Sequence, residues 1–65
     1  MTEHRILKAF NGRDLIDNNQ LRDALKQEGM NEIQVIQVLC LSARKGEISS
    51  YLDEQTGLTM WIKRF

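Results

Sequence analysis

Sixty-five residues allow one domain, residues 1–65, with one small core. A domain of this size buries only about 60% of the surface its unfolded chain exposes, which argues against an active site carved out of that core. Nine basic and nine acidic residues cancel, which weakens the case for a phosphate-binding surface without excluding one, because distribution matters more than the sum.

A hydrophobic share of 42% with no low-complexity tract reads as globular rather than disordered. One cysteine excludes an internal disulfide and fits a reducing, cytoplasmic compartment. The N-terminus lacks the apolar run of a signal peptide, Met1 fits a natural start, and no stretch reaches the roughly 18 apolar residues of a membrane span.

The first predicted element runs from Thr2, a candidate cap, to about Phe10. Ile6, Leu7 and Phe10 fall at helical spacing, with Arg5 and Lys8 facing away, and Asn11-Gly12 ends it. Leu15-Ile16 forms a short apolar step before Asp17-Asn18-Asn19, a cluster of good N-cap residues. The second helix is expected from about Asn19 to Glu28, with Leu21, Ala24 and Leu25 on one face and Arg22, Asp23 and Lys26 on the other. Gly29 stops it, and Met30 is expected to fold back onto the core.

Asn31 and Gln34 have the spacing of a capping box, with Asn in place of the usual Ser or Thr. The helix they open, roughly Glu32 to Arg44, is predicted to bury Ile33, Val35, Ile36, Leu39, Cys40 and Ala43. A buried strand over Ile33 to Leu41 competes, since Val and Ile are modest helix formers; length and the capping signals favour helix. Arg44-Lys45 complements the helix dipole and Gly46 closes the element.

From Glu47 the period changes to two. Two strands are joined by Asp53-Glu54-Gln55-Thr56-Gly57, a five-residue connection with glycine last. Ile48, Leu52, Met60 and Ile62 are expected to face the helices, with Tyr51 and Trp61 on the opposite face.

Helix, short step, helix, tight turn at Glu28-Gly29-Met30-Asn31, helix and a hairpin with its tip at Asp53 to Gly57: this order resembles the winged helix-turn-helix superfamily of DNA-binding domains over nearly the whole chain. The resemblance implies an α+β fold of three helices with a C-terminal β-hairpin wing, and a short strand at Leu15-Ile16 pairing with that wing. It also implies that the third helix enters the major groove. The outward stripe carried over by position is then Gln34, Gln37, Val38, Leu41, Arg44 and Lys45, with Asn31 at the helix start.

Asn31, Gln34 and Gln37 suit adenine, and Val38 and Leu41 suit thymine methyls. Arg44, Lys45, Lys63 and Arg22 would hold phosphates. The expectation is therefore a small duplex-DNA regulator, dimeric because one copy of this size makes few contacts. The same polar residues also read as an ordinary solvated helix face.

Glu32 near the helix start and the apolar pair Val38 and Leu41 keep a second function open, a protein-docking module with Val38, Leu41, Trp61 and Phe65 as anchors. Enzymatic chemistry finds no support: His4 is the only histidine, Cys40 is expected to be a buried inert thiol, and no spacing suits a metal, cofactor or small-molecule substrate.

Overall fold

A computed structural model describes residues 4–65. Its elements are α1 (His4–Phe10), β1 (Leu15–Asp17), α2 (Asn18–Gln27), α3 (Glu32–Arg44), β2 (Ile48–Asp53) and β3 (Leu58–Lys63). The expected cap at Thr2 lies outside the described residues. The fold is α+β, three helices against a three-stranded antiparallel sheet of order β1-β3-β2.

Local chemistry sets the helix limits. Asp17 caps α2 and Asn31 caps α3, each in a full capping box: the Asp17 and Asn31 side chains accept from the backbone N–H of Gln20 and Gln34 (2.8 and 2.9 Å), whose own side chains accept in return. Both helices end in the same way. Gly29 and Gly46 take positive φ (94° and 78°), Gly29 N–H donates to the Lys26 carbonyl and Gly46 N–H to that of Ala43. Met30 and Glu47 N–H reach back to the carbonyls of Leu25 and Ser42, which completes a Schellman closure at each end. Met30 is thereby folded into the core.

The core is one cluster: Ile6 and Phe10 of α1, Ile16 of β1, Leu21 and Leu25 of α2, Met30, Val35 and Leu39 of α3, and Ile48 of β2. From α3 it takes a narrow stripe of Val35, Leu39 and Ser42, with Val38 half-buried beside it. Four residues expected inside are therefore outside. Ile33 is 67% exposed, Ile36 52%, and Cys40 is exposed; Ala43 is exposed as well. The reason is size: among the described residues α3 packs chiefly on α2 and β2, with Trp61 of β3 beside it, and its other side is left exposed. Leu7 of α1, at 43%, is likewise left out.

The sheet corrects the second expectation. Directly opposed residues share a face, and β1 pairs Ile16 with Trp61 while β2 pairs Ser50 with Trp61. Trp61 therefore faces the helices with the buried Ile16, packed on the core. Met60 and Ile62 turn outward with Tyr51 and Leu15. The Trp61 indole Nε1–H donates to Asn18 Oδ1 at 2.9 Å, tying the sheet to the first residue of α2. The distal part of β2 runs past the helices, which leaves Leu52 63% exposed, and β2 forms the outer edge of the sheet.

Leu25→Ala empties a fully buried site and is expected to cost about 2–5 kcal/mol, much of the stability a domain this small holds. Leu52→Ala should cost less than about 0.5 kcal/mol. Thermal unfolding followed by circular dichroism checks both.

Candidate functional site

The feature of α3 that calls for explanation is the apolar surface left uncovered. At about 100° per residue, Val35, Leu39 and Ser42 point to the core, so Ile33, Gln37, Cys40 and Arg44 form the opposite ridge, with Ile36 and Leu41 on its two flanks. Leu41 is 51% exposed. On the Ile36 flank the surface is hollowed into an open groove of about 260 Å³, lined by Ile36, Leu39, Cys40 and Ala43 of α3, Trp61 of β3 and Arg22 of α2. Its chemistry is aliphatic and aromatic, with the guanidinium and the Asn18 amide at the margin.

The residues expected to read bases are disposed differently from one another. Asn31 and Gln34 are exposed, but their carbonyl oxygens accept from each other's backbone N–H at 2.9 Å. A paired contact to adenine needs the amide oxygen as well as the amide N–H₂, so it would compete with the α3 cap. Gln37 stands on the exposed ridge with no such engagement. Val38, expected outward, is packed on the core, because the buried stripe is turned toward it. Leu41, Arg44 and Lys45 are exposed.

The expected phosphate contacts also divide. Arg22 and Lys26 of α2 both ion-pair with Glu32 in the first turn of α3. The hydrogen bond from Lys26, joined by the charge of Arg22, holds the Glu32 carboxyl below its ordinary value. Lys63 lies 3.5 Å from Asp14 and over the Phe65 ring. Among the described residues no ion pair engages Arg44 or Lys45.

Phe65, a proposed anchor, seats its ring edge-on against Phe10 with centroids 6.0 Å apart and stays 39% exposed. Trp61 keeps a binding role as a wall of the groove. Ile33 and Ile36 were missed as surface residues, and no periodicity signal distinguishes them from core, since α3 carries apolar residues around most of its circumference.

A second hollow, about 440 Å³, lies between α1 and α2 and is lined by charged and amide side chains including Lys8, Arg13, Asp23 and Glu28. Lys8 and Glu28 are joined there by a 3.0 Å ion pair. Among the described residues no group of three or more His, Cys, Asp or Glu side chains is placed to hold a metal, and no helix is long and apolar enough to cross a membrane.

Comparison with family models, with curated proteins and with solved structures finds no match to this chain.

Two outcomes follow from the α3 N-terminus. Asn31→Ala should cost about 1 kcal/mol, whereas Gln37→Ala stays within about 0.5 kcal/mol, as read by urea unfolding. The folded-state pKa of Glu32 lies below the ordinary 4.5. Its pairing with Arg22 and Lys26 therefore stabilises the fold above that pH and is lost as pH falls through the lower folded value. Glu32→Gln should flatten the acid limb of stability against pH.

Proposed function

We propose that the chain is a winged helix-turn-helix module that works by docking on protein through the uncovered side of its third helix. The element order, the four-residue turn from Glu28 to Asn31 and the sheet order β1-β3-β2 support the winged-helix reading, with β2–β3 as the wing. The observation that carries the docking reading is the exposed apolar set Ile33, Ile36 and Cys40 beside the Trp61-walled groove, with Leu41 on the other flank of the same ridge. Interfaces are enriched in aromatic residues and Arg around an apolar centre, and Trp61 with Arg22 supplies that composition here. Val38 and Phe65 leave the list of anchors, Leu41 and Trp61 stay on it, and Ile33 and Ile36 join it.

Duplex-DNA binding stands as the second reading, favoured by one observation: among the described residues no ion pair engages Arg44 or Lys45, at the end of the helix that winged-helix proteins insert into the major groove. A DNA reader would present Gln37, Leu41, Arg44 and Lys45, with Lys63 and Arg22 released from their carboxylates to reach phosphate. Against it, Ile33, Ile36 and Cys40 share that ridge, and the acidic wing tip of Asp53 and Glu54 is poorly suited to lie along phosphates.

Titration with random-sequence duplex DNA at low and moderate salt, run beside capture of binding proteins, separates the two. Docking predicts weak DNA binding without an enriched motif, and a captured protein that is lost at least about tenfold with Ile36→Asp while salt has little effect. Steeply salt-dependent DNA binding that enriches one motif and falls with Lys45→Ala would replace docking with the second reading.

A further inference from the structure

The zero net charge of the chain is unevenly placed. Around the uncovered side of α3 stand four cations, Arg22, Lys26, Arg44 and Lys45, against two carboxylates, Glu32, which Arg22 and Lys26 already share, and Glu47, which follows the helix end. The balancing acids lie elsewhere: Asp23 and Glu28 line the hollow between α1 and α2, Asp14 pairs with Lys63, and Asp53 and Glu54 sit at the hairpin tip. The apolar groove and ridge are therefore framed by positive charge at both ends. Arg22 lines the groove itself, and Arg44 continues the ridge one turn beyond Cys40.

From this complementarity we infer that the partner is an acidic amphipathic helix: a segment with large apolar side chains at i, i+3/i+4 and i+7 and Asp or Glu beside them. The inference rests on the docking reading above and names the chemistry of its occupant. One apolar side chain of the partner enters the groove between Ile36, Cys40, Ala43 and Trp61, and a second lies over Ile33. Its carboxylates meet Arg44 and Lys45 at one end and the Arg22–Lys26 pair at the other. A helix-in-groove contact of this kind takes affinity from the apolar anchors and orientation from the rim charges.

A second copy of this chain fits less well. An antiparallel α3–α3 contact would bring Lys45 of one copy to the end where Arg22 and Lys26 outnumber Glu32, like charge against like.

The test uses the full chain and its own reporter. Trp61 is the only tryptophan and forms a wall of the groove, so its emission responds to an occupant. Two tryptophan-free synthetic helices are compared, identical in their leucines, one flanked by glutamates and the other by lysines. The glutamate peptide should shift Trp61 emission and bind about tenfold or more tighter at low salt, with the gap closing as salt rises. Ile36→Asp should abolish the shift, and the double variant Arg44→Gln with Lys45→Gln should narrow the preference while leaving the circular dichroism spectrum unchanged.

Equal binding of the two peptides, or preference for the lysine one, overturns the acidic partner and leaves docking intact. No shift with either peptide overturns both. So does a shift produced only by duplex DNA and dependent on Arg44 and Lys45.

Discussion

The architecture depends on how little of α3 the core can take. Among the described residues, one cluster of nine buried apolar side chains serves three helices and a sheet, and it accepts α3 along a single narrow stripe, Val35, Leu39 and Ser42. None of the described elements lies across Ile33, Ile36 and Cys40. The exposed apolar surface follows from scale together with composition. A helix with apolar residues around most of its girth has been placed where only one side can be buried. Such a surface is costly to keep in water and is characteristic of interaction sites.

A second constraint, the short β1 strand, sets the phase of the sheet. Its three residues pair with β3 so that Ile16 lies opposite Trp61. This pairing turns the indole inward and lets its N–H reach Asn18, the first residue of α2. Groove and sheet thus share one residue: the tryptophan that fixes sheet against helix also walls the hollow beside α3. Ile16 therefore bears on the shape of that hollow as the cross-strand neighbour of the indole. Met60, Ile62, Leu15 and Tyr51 occupy the outer sheet face as the complement of this choice.

What could be read beforehand was the local chemistry. The Asn31–Gln34 box, the stops at Gly29 and Gly46, the fold-back of Met30 and the glycine-ended hairpin turn are decided by residues within a few positions of each other. Each is present as the residues demand. What could not be read was rotation. In β3 the residues of both faces include large apolar side chains, Met60 and Ile62 on one and Trp61 on the other, so alternation gives no phase and pairing with β1 decides it. In α3, Ile33, Val35, Ile36, Val38, Leu39, Cys40 and Leu41 leave no unambiguous polar side, and packing against α2 and β2 selects the stripe. The candidate site was legible in Leu41, Arg44, Lys45 and Trp61 by residue type, but Val38 is half-buried against the core, Phe65 lies on Phe10, and Ile33 and Ile36 came to the surface. Net charge was uninformative in a similar manner, since a zero sum does not show that Arg44 and Lys45 stand together at the end of α3.

The outer position of β2 carries a consequence for how copies of the chain meet at high concentration. An unpaired strand edge invites a neighbour to add a strand, and repetition of that step builds a fibre. Here Glu47 stands just before the strand, and Asp53 and Glu54 stand at its far end. Antiparallel stacking of two such edges sets Glu47 of each against the Asp53–Glu54 pair of the other, and parallel stacking sets each acid on its own image. Either way the ends repel. A chain with no net charge to keep its copies apart thus carries guard charges at a backbone edge where self-templating could begin.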